Sequence, residues 1–239
     1  RFRILVIGRA NSGKTTVLQA VCGTDRKPEV YDEDGDRLCA APSPPSSVRG
    51  EHYIEYQLIF PGKNGFVFHD SRGFEAGAVD ERDIAQRFID ERATRVSLHE
   101  RIHAIWYCFS ADTNRFHTEL DFFEKINTGD GCYCNPSIAI FTKFDGLDAE
   151  VYMELCDEGV PSDKAFADAH SCADEKFDQT CLHLVRSQKY LPSGEVHLRS
   201  KSYLCDAMSK LVEKAVNSLN SKVLLQILVS VQQNTVEIS

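Results

Sequence analysis

Residues 2–15 read FRILVIGRANSGKT, and no other segment says as much about the architecture of the chain. Residues 2–7 are an apolar run rich in β-branched side chains, which is typical of a strand buried in a parallel sheet. Residues 8–15 fit the pattern G-x-x-x-x-G-K-[ST], and residues 16–22 can continue as a helix. The order of strand, loop and helix predicts an α/β domain that begins with a β-α unit.

The fixed positions of this octet each have a reason in phosphate chemistry. Glycines let backbone N–H groups curl around phosphate oxygens, and the N-terminus of the following helix adds partial positive charge. The Lys14 ammonium can reach the β- and γ-phosphates, and the Thr15 hydroxyl is a hard oxygen ligand for Mg²⁺. We therefore predict a phosphate-binding loop that consists of Gly8, Asn11, Ser12, Gly13, Lys14, Thr15 and Thr16.

A carboxylate stands at the end of a later predicted strand. Residues 53–60 alternate as in a half-exposed strand, residues 61–65 are rich in turn formers, and residues 66–70 form a strand that ends in Asp70. An acid at the carboxyl end of a strand, beside a phosphate loop, is suited to hold Mg²⁺. In the continuation DSRG, Gly73 can offer its N–H to a γ-phosphate because it carries no side chain.

Two further predicted strands, residues 102–109 and 137–141, lead to the tetrapeptide Thr142-Lys143-Phe144-Asp145. The Asp145 carboxylate can accept hydrogen bonds from both the ring N–H and the exocyclic amine of guanine. Adenine presents an acceptor and no amine there, so the carboxylate would remain unpaired. The Lys143 stem can lie flat along the base. We therefore predict that Thr142, Lys143 and Asp145 bind guanine.

A last base-contacting loop has two candidates. Residues 195–199 resemble a strand that follows turn residues, and Ser200-Lys201-Ser202 comes next, ahead of a predicted amphipathic helix over residues 203–219. Residues 181–187 are the competing choice. The first is preferred, which assigns Ser200 and Lys201 to the guanine site and leaves room for extra helices within about residues 149–190.

Composition narrows the class of protein. The chain has 239 residues, 42% of them hydrophobic, and its net charge of −9 argues against broad nucleic-acid binding. Nine cysteines, an odd number, favour a reducing compartment and a cytoplasmic location, and the lone close pair Cys132 and Cys134 argues against a zinc site. We expect no transmembrane segment, because the apolar run at residues 223–231 is interrupted and too short.

In this order, GRANSGKT, DSRG, TKFD and, weakly, SKS resemble the motifs of the P-loop guanine-nucleotide-binding superfamily, which includes translation factors and Ras-like proteins. The stretches HDSRGFE and HAIWYC are also similar to fungal G-domain proteins. The resemblance implies a three-layer P-loop NTPase fold, with a mostly parallel central sheet of about six strands and helices on both faces. It implies one G domain over residues 1–220, with residues 221–239 as a tail packed on it or extending it.

The resemblance further implies binding of GTP or GDP with Mg²⁺ and slow GTP hydrolysis as a conformational switch, carried by Lys14, Thr15, Asp70 and Gly73. No threonine stands between Thr24 and Thr94, where relatives supply a metal ligand, so Ser46 or Ser47 would replace it. We assign Ser47 to the metal, beside Thr15 and Asp70.

Two other positions depart from the family pattern. Phe74 follows Gly73 where many relatives place a water-orienting Gln, and His69, Arg72 and Glu75 are more typical of surface or packing residues than of its replacement. Asn11 resembles a residue of bacterial tRNA-modification GTPases that helps to hold K⁺ as a second cofactor, but tolerance of a left-handed backbone is the favoured explanation. The alternative function is a non-catalytic, septin-like module that binds GTP and associates with itself or a protein partner. An ATP-dependent kinase is disfavoured by TKFD.

Overall fold

The computed structural model of the chain describes residues 1–38, 54–71, 79–111, 116–125, 136–199 and 213. The strands in these ranges are β1 (Phe2–Gly8), β2 (Glu29–Tyr31), β3 (Gln57–Ile59), β4 (Phe66–Asp70), β5 (Ala104–Ser110), β6 (Ser137–Thr142) and β7 (Gly194–His197). The α-helices are α1 (Lys14–Cys22), α2 (Val79–Thr94), α3 (Phe116–Lys125), α4 (Phe144–Asp157), α5 (Ser162–Phe177) and α6 (His183–Arg186). A 3₁₀ turn at Leu98–Glu100 and a π-helical turn at Asp178–Leu182 complete the described helices.

The seven strands form one mixed sheet in the order β2-β3-β4-β1-β5-β6-β7. The pairs from β4 to β7 are parallel, and the β2–β3 and β3–β4 pairs are antiparallel. The central strand β1 has β4, β3 and β2 on one side and β5, β6 and β7 on the other. In open α/β sheets, ligands bind at the carboxyl ends of strands where the order diverges in this way.

Both faces of the sheet are covered by helices. On one face, Ile4 and Val6 of β1 pack in a cluster with Val17 and Leu18 of α1. On the other face, alternate strand residues join a larger cluster to which α2, α3, α4 and α5 contribute. All seven residues of β1 are buried, as expected for a strand covered on both sides. The predicted α/β class with a mostly parallel sheet is confirmed, with one strand more than the six expected.

The predicted strand boundaries need three corrections. The strand predicted over residues 53–60 is reduced to β3, because Ile54 lies in a turn where its carbonyl accepts a hydrogen bond from a buried histidine ring, that of His69. The strand predicted over residues 102–109 begins later, at Ala104. The third is β2, which the sequence analysis missed and which pairs with β3 in an antiparallel hairpin.

Of the two segments weighed for the last loop, residues 194–197 form strand β7, whereas residues 181–187 are largely helical. The preferred strand is therefore confirmed, but it begins at Gly194 and ends at His197, two residues before the predicted end. The helix predicted over residues 203–219 lies outside the described residues except for Glu213, which is helical, and the tail over residues 221–239 lies outside them entirely.

Two of the free cysteines in the described ranges, Cys22 and Cys108, are buried, and burial raises the pKa of each thiol to about 12. These two behave as small apolar side chains. Cys132 and Cys134 lie outside the described residues. None of the described helices is both long and apolar enough to cross a membrane.

Candidate functional site

The loop between β1 and α1 has a backbone that only certain residues can adopt. Asn11 and Gly13 have φ angles of 64° and 81°, and asparagine is among the few side chains that tolerate the left-handed region. A Cβ on Gly8 would lie 2.5 Å from the Cys108 carbonyl oxygen and 2.6 Å from Ser12 Oγ, so no larger residue fits there. The left-handed conformation accounts for Asn11 without a bound ion, and its role towards K⁺ stays a prediction.

The Lys14 ammonium folds back onto this loop. Its side chain is almost fully buried, and its ammonium donates hydrogen bonds to the carbonyl oxygens of Gly8 at 2.8 Å and Arg9 at 3.0 Å. Lys14 Nζ also lies 3.9 Å from Asp70 Oδ1. The β1–β4 register, which pairs Val6 with Asp70, brings this carboxylate to the loop. The structure therefore gathers Lys14 and Asp70 at one edge of the sheet.

Asp70 is held in a way that disfavours its charge. Its Oδ1 is buried and accepts no hydrogen bond from the described part of the chain, although the side chain as a whole is 33% exposed. Burial raises the pKa of Asp70 to about 6, and the Lys14 ammonium only partly opposes that shift. Ser12 Oγ, also buried, likewise finds no partner among the described residues. These two buried oxygens have unused hydrogen-bonding capacity that a ligand or metal could take up.

The oxygens at this edge suit Mg²⁺. Thr15 is exposed at the second position of α1, and its hydroxyl and the Asp70 carboxylate are the hard oxygen donors that Mg²⁺ prefers. The described ranges contain no group of three or more His, Cys, Asp or Glu side chains that could hold a metal ion by themselves. A cation at Asp70 would therefore draw its other ligands from hydroxyl groups, water or a bound phosphate.

The tetrapeptide at residues 142–145 begins with the last residue of β6 and alternates between buried and exposed positions. Thr142 and Phe144 are buried, whereas Lys143 and Asp145 are exposed. Lys143 has a left-handed backbone, with a φ of 59°, and α4 begins at the next residue, so Asp145 lies in its first turn. The two side chains predicted to contact a base are thus the two that solvent can reach.

A hydrogen bond joins this tetrapeptide to the loop after β1. Thr142 Oγ1 lies 2.9 Å from the Ser12 carbonyl oxygen and 3.1 Å from that of Phe109, and its single proton can serve one of them at a time. A Cβ on Gly13 would lie 3.2 Å from the Thr142 side chain, so the loop and the tetrapeptide are in close contact. From the ligand groups that the sequence predicts for them, we call residues 8–15 with Asp70 the phosphate end of the site, and residues 142–145 the base end.

His69 precedes Asp70 on β4, but its ring is buried inside the protein. Its Nδ1 donates to the Ile54 carbonyl oxygen at 2.8 Å, which fixes the tautomer, so Nε2 accepts from the Arg3 guanidinium at 2.8 Å. Burial, and secondarily the charge of Arg3, lowers the pKa of His69 to about 3. With both ring nitrogens engaged and no exposed surface, His69 is a packing residue, as the sequence favoured.

Of the remaining predicted site residues, Thr16 lies within the described ranges. Thr16 is exposed on α1, next to the buried Val17. The predicted residues that lie outside the described ranges are Ser46, Ser47, Arg72, Gly73, Phe74, Glu75, Ser200 and Lys201. What sequence reasoning missed is a set of charged residues behind the base end, centred on Arg199, because its contacts join positions far apart in the chain.

The geometry brings Gly8, Ser12, Lys14 and Asp70 together at the phosphate end and places Thr142 against them. Its interpretation rests on the chemistry of these residues alone. Comparisons of the chain with protein-family models and with curated proteins find no match.

Proposed function

We propose that the protein binds GTP and GDP with Mg²⁺ and hydrolyses GTP slowly as a conformational switch. The observation that carries this proposal is the 2.9 Å contact between Thr142 Oγ1 and the Ser12 carbonyl oxygen. It joins a loop with the residues needed to cradle phosphates to a tetrapeptide with the residues needed to read guanine. One nucleotide contacts both ends at once.

The strand order supports a three-layer P-loop NTPase fold. In the strand order β3-β4-β1-β5-β6-β7, to which β2 adds an edge strand, the phosphate end follows the carboxyl end of the central strand β1. The base end lies two strands away on the same edge, after β6. A ligand in the crevice along this edge would lie at a topological switch point, as in other open α/β sheets.

In the proposed reaction, water attacks the γ-phosphorus, the bond to the β–γ bridging oxygen breaks, and GDP and phosphate leave. Bound Mg²⁺ would neutralise charge on the β- and γ-phosphates, with Thr15 and Asp70 as its protein ligands. Lys14 exchanges its two carbonyl acceptors for phosphate oxygens, which are stronger, charged acceptors. Asp70 must lose its proton to serve the metal, and the positive charge of the ligated ion favours that loss.

Hydrolysis is slow in this proposal because neither His69 nor Phe74 can orient the attacking water. His69 is occupied on both ring nitrogens, and Phe74 cannot polarise water. The same fact supports the alternative of a GTP-bound module that assembles with itself or a partner. Phosphate release from GTP, measured at several protein concentrations with K⁺ or Na⁺, separates the two. Release above the uncatalysed rate supports the switch, and its absence under every condition supports the module.

Base choice is the direct test of the proposal. GDP and ADP are titrated into nucleotide-free protein with Mg²⁺, and GDP should bind about 10²-fold tighter or more, because ADP leaves the Asp145 carboxylate unpaired. Asp145→Asn should weaken GDP and strengthen xanthosine diphosphate, whose ring carries an oxygen in place of the exocyclic amine. Asp157→Asn, an exposed change at the far end of α4, is the matched control. Equal affinity of the unaltered protein for GDP and ADP would contradict the proposal.

A further inference from the structure

A network of charged side chains packs against Phe144 of the base end. The proposed chemistry does not account for this network. We call it the Arg199 cluster, and it consists of Asp148, His170, Asp174, His197 and Arg199. These residues come from α4, α5, β7 and the position two residues after β7. The cluster therefore ties the end of an edge strand to two helices.

Arg199 makes the strongest contacts of the cluster. Its Nε lies 2.9 Å from Asp148 Oδ2, and its second terminal nitrogen lies 3.2 Å from Asp148 Oδ1, so the pair is bidentate. The same terminal nitrogen lies 2.9 Å from Asp174 Oδ1. Burial opposes the charge of the guanidinium, but the hydrogen bonds to both carboxylates raise the pKa of Arg199. Asp148 is only 7% exposed, which makes this pair less screened than a surface salt bridge.

The cluster also encloses Phe144, the residue between Lys143 and Asp145. The His197 ring stacks on the Phe144 ring with centroids 4.5 Å apart and planes 11° apart. The Arg199 guanidinium carbon lies 5.0 Å from the same centroid, within cation–π range. The Phe144 N–H donates to the Leu198 carbonyl oxygen at 3.2 Å.

The position of these contacts in the chain gives them a consequence for base recognition. Arg199 immediately precedes Ser200, and Phe144 immediately precedes Asp145. Arg199 thus lies next to the last predicted base-contacting loop, and its guanidinium contacts the segment that carries the predicted guanine-reading carboxylate. A carboxylate that must accept two parallel hydrogen bonds tolerates little angular error, and an exposed side chain depends on its backbone for that precision.

We propose that Arg199 is a positioning residue for guanine recognition: its bidentate pair with Asp148 and its contact with Phe144 set the direction of the Asp145 carboxylate. The inference rests on the proposed function. It differs from a role in stability alone, because stability would affect every nucleotide alike, whereas positioning affects those that use both hydrogen bonds to Asp145.

Inosine diphosphate provides the readout that distinguishes these roles. It lacks the exocyclic amine of guanine and so makes one hydrogen bond to Asp145 where GDP makes two. Loss of angular precision costs GDP more than inosine diphosphate. We expect Arg199→Met to weaken GDP about 10-fold and to shrink the ratio of the two affinities towards one, with ADP unchanged.

The experiment is calorimetric titration of GDP, inosine diphosphate and ADP into nucleotide-free protein with Mg²⁺, at a temperature where circular dichroism shows each variant folded. Arg186→Met is the matched control, because the exposed Arg186 also pairs with a carboxylate, that of Glu195 on β7. Arg199→Lys, which keeps the charge without the planar fork, should lie between Met and the unaltered protein.

The outcomes separate the two proposals. Unaltered protein that prefers GDP over ADP, together with a smaller GDP-to-inosine-diphosphate ratio in Arg199→Met, supports the positioning role. An unchanged ratio, or an equal fall in Arg186→Met, overturns that role and leaves the proposed function standing. No preference of the unaltered protein for GDP overturns both. If Arg199→Met does not fold, Asp148→Asn removes the bidentate partner with little change in volume and decides by the same ratio.

Discussion

At the phosphate end, the contacts of Lys14 with Gly8 and Arg9 run within a single loop, whereas at the base end the pair of Arg199 with Asp148 joins positions 51 residues apart. The first arrangement needs only a glycine-containing turn and a helix N-terminus, which a short sequence can encode. The second requires two helices and a strand to be in place. In the proposed function, charge and therefore affinity reside in the local part, and discrimination between bases depends on the tertiary part.

The largest effect expected of a single change concerns the phosphate end. Lys14→Ala should weaken GTP about 10³-fold, or about 4 kcal/mol, because a charged partner of the triphosphate is lost from an enclosed loop. Lys176→Ala removes a half-buried lysine paired with Glu150 and Glu154, and should leave GTP affinity unchanged. Titration calorimetry on folded protein measures both. Wild-type affinity in Lys14→Ala would show that the phosphates bind elsewhere.

Acid should destabilise the part of the sheet around β1 and β4 before it destabilises the base end. His69 on β4 and His103 beside β1 are buried, and burial lowers their pKa values to about 3 and about 4, from an ordinary 6.5. The unfolded chain therefore takes up these protons first, and stability present above pH 6.5 is lost as the pH falls. At the base end, burial also lowers the pKa of His197, but its partner Asp174 opposes that shift.

Each of the two histidines should lower the free energy of unfolding by about 2 kcal/mol between pH 8 and pH 5. His69→Gln should remove about half of that dependence in urea titrations, while His183→Gln, at an exposed position of α6, should keep it. A profile that is equally steep in His69→Gln would mean that this ring is not the acid-sensitive group.

Asp70 should behave in the opposite direction. Its pKa is raised from 3.8 to about 6, so its ionisation opposes folding as the pH rises through that window. Asp70→Asn should therefore stabilise the nucleotide-free protein at pH 8 and change little at pH 4. Because the side chain is 33% exposed, water weakens the effect, and we expect a gain of about 1 kcal/mol.

Thermal unfolding at the two pH values measures this gain, with the exposed Asp90→Asn on α2 as the control. In the unaltered protein, the contribution of Mg²⁺ to GTP affinity should also fall as the pH drops below about 6, because a protonated carboxyl is a poor metal ligand. Equal stabilisation by Asp70→Asn at both pH values would refute the assignment of the shift to this carboxyl.

The smallest predicted effect concerns the contact between the two ends. Thr142→Val removes the hydroxyl that donates to the Ser12 or Phe109 carbonyl oxygen, and GDP should bind about 3-fold more weakly, or about 0.7 kcal/mol. Thr180→Val deletes a similar hydroxyl-to-carbonyl bond on an exposed helical turn and should have no effect on binding. An effect of Thr142→Val on inorganic pyrophosphate as large as that on GDP would place its influence at the phosphate end alone.

The sequence anticipated those parts of the fold that depend on neighbouring residues. The strands β1, β4 and β6, the loop before Lys14 and the helix after it follow from apolar runs and glycine spacing. Strand β3 was predicted too long, because alternation at residues 54–56 cannot reveal that the Ile54 carbonyl is taken by a histidine ring. The Arg199 cluster gave no signal for the same reason: no local pattern marks a pair whose members meet only after β7 has docked.

The buried cation of β1, Arg3, has a consequence for how that strand is held. Arg3 lies near the beginning of the strand, and its side chain donates to His69 Nε2 on β4 and to the His99 carbonyl oxygen. A slip of β1 by one residue would turn Arg3 to the opposite face, and a slip by two would carry its guanidinium away from both acceptors. Each slip leaves a buried charge without partners. The buried charge of Arg3 thus fixes the register of a strand that apolar packing alone would leave free to shift. As a result, the separation of Lys14 from Asp70 is set before any ligand binds.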